Sequence, residues 1–285
     1  MFRNTAGITR FPTPIPPSIL FSTSHRLLRP SSNIIDINNI RDILPYINAQ
    51  TLVVCDLDLT LIRLTQSLGC DRWFDRYIVE QNKIHNDIKK AVEITLDLYT
   101  KIQKLSKVRT VEESTTDIIR ELHYKVDSML ALTARDNYLQ DVTIQQLDSI
   151  GISFNHGKHT DISEPLSQSD TSYAHQGIIF CAGKNKGDCL EEYLSKHLAY
   201  TPKHILFIDD KIKHINAVKD MCDRLGIDFL GLHYTHTHTE PEIDWSIAKK
   251  QLEVFLENGD LISDEEAAVR IALDVTIIKM RPAFA

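Results

Sequence analysis

Two hydrophobic patterns alternate along most of the chain. Short, nearly continuous apolar runs occur at TLVVC (51–55), SMLALT (128–133), GIIFCA (177–182), HILFI (204–208) and DFLGLHY (228–234). Such runs suit strands covered on both faces, because neither side of the pleat is left polar for solvent. Between them lie segments with apolar residues every three or four positions, the spacing of amphipathic helices. One opens near Ser114 or Thr115, one follows Asp136 and ends at Gly151, and others cover KNKGDCLEEYLSKHL and KIKHINAVKDMCDRLG. Alternating strands and helices predict an α/β fold with a Rossmann-like, doubly wound parallel sheet of five strands.

Several segments stand outside this alternation. Residues 36–48 (DINNIRDILPYIN) carry helical spacing and predict a short helix beside the first strand. Residues 64–107 hold two long amphipathic stretches and no strand signal, which predicts a helical insertion between the first and second strands. Its Trp73 and Phe74 are expected in the core of that insertion, with stacking on a substrate as the competing reading. The stretch NHGKHTDISEPLSQSDTSYAHQ is polar and turn-rich and predicts a surface excursion. Helices at 245–258 and 264–273 are expected to cover either the sheet or the insertion. Residues 1–35 lack any acidic side chain and carry prolines at 12, 14, 16 and 17, so they read as a disordered tail, with an organellar transit peptide as the competing reading. The resulting division is a tail (1–35), an α/β core (36–63 and 108–285) and the insertion (64–107).

Composition narrows the function classes. With 32 basic against 39 acidic residues the formal charge is −7, which opposes a broad grip on nucleic acid. No apolar run approaches the ~18 residues that span a bilayer, so no membrane partner is expected. The five cysteines are scattered and never spaced as C-x-x-C, the usage of a reducing, cytoplasm-like compartment, with a specialised export route left open.

The chemistry collects at strand ends. VVCDLDLTLI (53–62) puts Asp56 and Asp58 at the end of an otherwise buried run, where burial of unpaired carboxylates costs several kcal/mol. The other runs end in LTARD, GKNKG and IDDK. In open α/β sheets ligands bind outside the carboxyl ends of the strands, so the four polar clusters fall on one edge. An EF-hand loop starting at Asp56 fails, since Leu61 and Ser67 stand where Gly and Glu are required.

In this order the clusters resemble the four motifs of the haloacid dehalogenase superfamily: Asp56-Leu57-Asp58-Leu59-Thr60, then Thr133, a lysine, and Asp209-Asp210. The resemblance covers about residues 51–235, and within the superfamily it is nearest to poorly characterised bacterial members with an LTARD motif. It implies a helical cap at 64–107 and a Mg²⁺-dependent phosphomonoesterase. Asp56 is then the nucleophile that forms an aspartyl-phosphate, and Asp58 the general acid and base. The implied metal ligands are the Asp56 carboxylate, the Asp58 main-chain carbonyl and Asp209, with Asp210 behind them or bound through water. Thr133 and Lys186 would hold the phosphoryl group. Lys186 is chosen because Gly187 opens the next helix, with Lys184 the runner-up. Arg135 is expected either to contact a distal substrate anion or to pair with Asp136 or solvent. His233, His236 and His238 could bind zinc, though a polar loop near the substrate opening is the preferred reading.

The expected partner is a small phosphorylated molecule. A phosphotransferase on the same fold and a non-enzymatic interaction protein are the rival functions.

Overall fold

The computed structural model describes residues 33–155, 162–166, 171–198 and 202–280 of the 285; the proposed tail at 1–35 lies outside them except for its last three residues. A short strand, β1 (Ile34–Ile37), precedes a 3₁₀ turn over Ile40–Tyr46, where helical spacing predicted one helix. Pro45 sits in that turn and can donate no backbone hydrogen bond, while Ile40 and Ile43 are fully buried. The apolar spacing therefore reports contact with the core, and the turn stays short.

The first apolar run becomes β2 (Thr51–Cys55), whose five residues are all buried. A short β3 (Ile62–Leu64) leads into the insertion, which consists of α1 (Asp71–His85) and α2 (Ile88–Gln103). Asn86 ends α1 in the left-handed conformation, and the Asp87 carboxylate then caps α2 by accepting from the Lys89 and Lys90 amides. The chain returns through β4 (Val108–Thr110), which pairs antiparallel with β3. Two neighbouring antiparallel strands thus form the root of the insertion.

After α3 (Thr115–Lys125) come β5 (Ser128–Thr133) and α4 (Gln140–Ser149), which ends near Gly151 as its left-handed φ of 73° allows. The polar stretch predicted as a surface excursion contributes two strands, β6 (Ser163–Pro165) and β7 (Tyr173–His175), antiparallel to each other. Then follow β8 (Ile178–Phe180), α5 (Lys186–His197), β9 (His204–Asp209), α6 (Ile212–Leu225) and β10 (Asp228–Tyr234). The chain closes with α7 (Trp245–Asn258) and α8 (Asp264–Met280).

The main sheet has eight strands in the order β1-β10-β9-β2-β5-β8-β7-β6, parallel from β1 to β8 and antiparallel at the β7 and β6 edge. Alternate residues of β2 feed two separate cores. Val53 and Cys55 join the layer with α3, while Leu52 and Val54 join the layer with α5 and α6. Both faces are covered, which is why the strand is continuously apolar. The five strands expected from the sequence are all present; β1 was missed as a short strand at the sheet edge, and β3, β4, β6 and β7 as three-residue strands in antiparallel pairs, whereas β8, equally short, lies inside the apolar run GIIFCA.

Helices α7 and α8 settle on the insertion. Ala248 of α7 is buried with Leu68, Trp73, Leu98 and Ile102, and Trp245, Leu252 and Phe255 pack around them. Trp73 stacks on Tyr77 at 4.8 Å and Phe74 meets Tyr99 edge-on at 5.1 Å. Both aromatics therefore serve the core of the insertion, as expected.

Gly187, in the first turn of α5, touches the α6 backbone. A Cβ there would overlap the Ala217 carbonyl. Gly187→Ala should push the start of α5 away and cost ~1–3 kcal/mol by overpacking, a fall in Tm of ~2–10 °C. Thermal unfolding checks this, and an unchanged Tm would show that α5 shifts freely.

Candidate active site

The chain leaves β2 through one last sheet-like bond, from the Asp56 amide to the Ile208 carbonyl at 2.9 Å. It then folds back on itself: the Leu61 and Ile62 amides both reach the Leu57 carbonyl at 2.9 Å, and Leu59 takes a left-handed φ of 60°. This turn keeps the DLDLT residues at the sheet edge. Thr60 is fully buried within it, donates to Asp56 Oδ2 at 3.3 Å and accepts the Asp210 amide at 3.1 Å. One threonine therefore ties the first motif to the last.

Strand β9 lies beside β2, with Cys55 opposite Ile208, so Asp56 and Asp209 emerge as neighbours. Oxygens of Asp56, Asp209 and Asp210 lie within 4.8 Å of one another. Lys186 answers this crowding: its ammonium is 2.5 Å from Asp56 Oδ1 and 2.7 Å from Asp209 Oδ2, and the residue is only 1% exposed. The Asn185 side chain caps α5 by accepting from the Asp188 amide, which fixes Lys186 at the helix start. Lys184, two residues earlier, is exposed.

The charges of the cluster are unequal. Burial, then the Asp209 charge, lifts the Asp56 carboxyl to about 7 although Lys186 opposes it. Burial, then Asp56 and Asp209, raises Asp210 to about 8. Burial works in the same direction on Asp209 but is outweighed by Lys186 and His214, which hold it below the ordinary carboxylate range. His214 Nδ1 lies 3.1 Å from Asp209 Oδ2, and the Lys211 amide donates to Asp209 Oδ1 at 2.7 Å. Burial keeps the His214 imidazole more readily neutral than usual. For Lys186, the two carboxylates overcome the effect of burial and keep the amine charged.

Three carboxylates facing one lysine leave surplus negative charge in a low-dielectric edge. Among the described residues Asp210 Oδ1 is buried without a hydrogen-bond partner. A set of three hard oxygen donors with an unsatisfied lone pair fits a hard divalent cation. This is the one group of three or more His, Cys, Asp or Glu side chains among the described residues with such spacing. The three histidines considered for zinc form no such group: the His233 and His238 rings lie 5.1 Å apart, but His233 pairs with Asp36 at 2.7 Å, His236 Nδ1 meets the Asn38 carbonyl, and His238 Nε2 meets the Asp210 carbonyl at 2.9 Å. His238 thus supports the loop that carries the acidic pair.

Asp58 and Arg135 form the second half of the site. The guanidinium Nε and NH2 groups each donate to one Asp58 oxygen at 2.8 Å, a two-pronged pair. Neither pairing expected for Arg135 from the sequence, with Asp136 or solvent, occurs. Asp136 instead accepts from the Tyr138 amide at the next turn. Arg135 is 4% exposed, and its remaining NH1 donates to Thr143 Oγ1 at 3.0 Å and Gln146 Oε1 at 2.7 Å. Thr133 ends β5 fully buried, and its hydroxyl oxygen accepts the Arg135 amide at 3.2 Å, leaving the hydroxyl proton for another acceptor.

Sequence reading named Thr60 within the first motif without giving it a role, and did not single out Thr143, Gln146, His214 or Lys211. Thr143 and Gln146 left one signal: they fall on the apolar stripe of α4 with Leu139, Leu147 and Ile150, where a helix serving only the core would carry aliphatic residues. Tyr99 of α2 also faces this half. Burial, then the Asp58 charge, pushes its phenol well above the usual range.

Comparison with known proteins adds a family and no activity. The chain is 27% identical over 243 residues to a "Putative outer membrane protein" of Chlamydia muridarum, covering 84% of this chain and 90% of the relative. A "Putative outer membrane protein" of Chlamydia trachomatis is 25% identical over the same coverage. An uncharacterized protein of Rickettsia prowazekii is 24% identical over 244 residues, 82% of this chain and 88% of the relative. Among the described residues no helix is long and apolar enough to cross a membrane. No solved structure matches. Residues 33–268, which hold every strand and every site residue described above, match a family described as a protein of unknown function (DUF2608), and the chain belongs to that family.

Proposed function

We propose that this protein hydrolyses a phosphomonoester with Mg²⁺, as a Rossmann-like member of the haloacid dehalogenase superfamily. The observation that carries this reading is the buried cluster of Asp56, Asp209, Asp210 and Lys186, bound together by Thr60 at the edge of a parallel sheet. A cluster of this composition serves no purpose in packing, since an apolar core would be cheaper.

In this reading Asp56 attacks phosphorus. A new bond forms between a carboxylate oxygen and phosphorus, and the ester oxygen leaves with its electron pair, taking a proton from Asp58. Water then attacks phosphorus, Asp58 takes a proton from it, and the acyl-phosphate bond breaks to restore the Asp56 carboxylate and release phosphate. Lys186 and Thr133 donate to the phosphoryl oxygens as charge develops on them. Asp56 and Asp209, with Asp210 beside them, would hold Mg²⁺, which would supply charge neutralisation between the anionic nucleophile and the phosphate dianion. Asp58 serves as acid only when an oxygen leaves the Arg135 fork, so the fork belongs to a resting arrangement.

The insertion, α1 and α2, acts as a cap that selects the substrate. The five cysteines, four of them buried and none paired, suit a reducing compartment, and we place the protein there.

The two aspartates should fail differently when p-nitrophenyl phosphate is mixed with protein and Mg²⁺, quenched in acid and analysed by mass spectrometry. Asp56→Asn should give no phosphate adduct. Asp58→Asn should give adduct on the peptide containing VVCDLDLTLI, because this leaving group departs without a proton, and its breakdown should slow ~10²- to 10⁴-fold. Adduct in the Asp56 variant would overturn the mechanism.

A second prediction concerns protein stripped of divalent ions with a chelator. Asp56 and Asp210 rise from 3.8 to about 7 and about 8, so their protonated forms favour the folded state. That stability is complete below about pH 4 and is lost as pH rises through 7 to 8. Tm should therefore fall between about pH 4 and pH 8 and level off above it, and added Mg²⁺ should restore it most at the alkaline end. Asp210→Asn should flatten the fall and raise Tm at pH 9 by ~2–10 °C, while reducing the response to Mg²⁺. A flat wild-type profile, checked by scanning fluorimetry, would show that the three carboxylates do not repel one another.

A further inference from the structure

A continuous hydrogen-bond chain runs from Asp58 to the root of the insertion. Arg135 holds Asp58 with Nε and NH2, and its third nitrogen is committed to Gln146 Oε1 at 2.7 Å. The Gln146 amide nitrogen turns the other way and donates to the Ser106 carbonyl at 3.0 Å and the Gln103 carbonyl at 3.3 Å. These two carbonyls sit where α2 ends and the chain returns to β4. From there Ser106 Oγ accepts Gln66 Nε2 at 2.8 Å, Gln66 also reaches the Leu68 carbonyl, and Gln103 Nε2 reaches the Gly69 carbonyl at 2.9 Å. The two segments of chain that connect the insertion to the sheet are thus hydrogen-bonded to one another, and the returning one is bonded to Gln146. Ser106, Gln103, Gln146 and Gln66 are all buried, so water offers no substitute partner when a link is lost.

A glutamine suits this place for a simple reason. Its amide has an acceptor and a donor on one carbon, so a single side chain can accept from the guanidinium and donate to the carbonyls at once. Neither a carboxylate nor an amine can do both. Thr143 restricts the same guanidinium nitrogen from a second side, which leaves Arg135 little freedom except along the direction set by Gln146.

We infer that Gln146 is a positioning residue that couples the seating of the helical insertion to the orientation of Asp58 through Arg135. When the root of the insertion moves, the carbonyls of Gln103 and Ser106 move with it. Gln146 follows or lets go, and the Arg135 fork then tightens on Asp58 or releases one of its oxygens. The inference deepens the phosphatase reading, because the released oxygen is the one that would carry the proton. The coupling itself does not depend on that reading.

Two measurements test it, one of them independent of activity. Two-dimensional NMR of ¹⁵N-labelled full-length protein should show a slowly exchanging Arg135 Nε–H signal, assigned by its loss in Arg135→Lys. Gln66→Ala lies outside the Asp58 and Arg135 contacts and perturbs only the insertion root. It should shift this signal or broaden it, and Gln146→Leu should do so more strongly. A signal unmoved in folded Gln66→Ala would overturn the coupling even if the protein proves to be a phosphatase. The second measurement compares p-nitrophenyl phosphate with glycerol 2-phosphate, whose alkoxide needs a proton to leave. Gln146→Leu should lower kcat/KM, which reports the leaving-group step and not the shared breakdown of the phosphoenzyme, about tenfold more for the glycerol ester than for the aryl ester. Equal losses of kcat/KM on both esters would mark Gln146 as structural only. If wild type turns over neither ester, the phosphatase reading fails and the NMR result still decides the coupling.

Discussion

Everything at the sheet edge depends on one contact, the Lys186 ammonium lodged between Asp56 and Asp209. Three carboxylates crowd within 4.8 Å at the ends of two adjacent strands, and most of their solvent is gone. Without a buried cation the repulsion and the desolvation would act together, and the strand ends would have to separate or take up protons. Lys186 relieves this only in part. The imbalance shows in the carboxyls themselves, since Asp209 stays ionised beside the lysine while Asp56 and Asp210 are pushed towards neutrality. The lysine can reach its place because Gly187 lets α5 lie directly on the α6 backbone and Asn185 fixes the helix start. A packing detail between two helices therefore sets the electrostatics of a site on the strands.

The site has two halves with different physical characters. Around Asp56 the charges are in excess and invite a cation. Around Asp58 they are matched: one carboxylate meets one guanidinium through two bonds of 2.8 Å, and the remaining guanidinium nitrogen is satisfied by Thr143 and Gln146. Matched charge makes a stable resting arrangement and excess charge makes a receptive one. Both arise from aspartates two positions apart, separated by the buried Leu57 whose carbonyl anchors the turn.

How much of this was legible in the sequence follows from what each residue does. The five central strands were readable because burial on both faces makes each run nearly continuously apolar, and the clusters DLDLT, LTARD, GKNKG and IDDK stood out as violations of that rule at the strand ends; Thr133 and Lys186 were picked from them by the family resemblance, with Lys184 as the runner-up. The short strands were not readable: β3 and β4 have three residues each, and β6 and β7 sit in a polar stretch whose pairing comes from the edge of the sheet. Arg135 was visible as a residue of interest but its partner was not, since Asp58 lies 77 positions away and Asp136 is adjacent. Gln146 and Thr143 were hidden for the opposite reason. A single polar residue on a helix stripe is common, and only the arrival of Arg135 and the Gln103 and Ser106 carbonyls gives it meaning.

The placement of the carboxyl-terminal helices changes how the insertion can behave. Sequence division treated residues 64–107 as a module set apart from the rest, yet Ala248 shares a buried cluster with Trp73, Leu98 and Ile102. Gln251 Oε1 accepts the Leu68 amide at 2.9 Å, and Asp264 accepts both the amide and the hydroxyl of Ser67. Helices α1, α2 and α7 together with the start of α8 therefore form one packed unit, and any displacement of α1 and α2 must carry α7 or break this core. Such a unit moves more readily as a body than by bending within, because close-packed side chains resist partial rearrangement. Among the described residues its attachments to the sheet layer include the β3 and β4 pair, the Gln146 link, Lys211 from the loop after Asp210, which meets Asp71 at 2.6 Å, and Arg72 of α1, which donates to the Thr237 carbonyl beyond β10 at 2.8 Å. Two of these, the Gln146 link and the Lys211 pair, end at residues adjoining the Asp58 fork or the acidic cluster, so a rigid shift of the helical unit would be felt by the groups closest to the proposed chemistry.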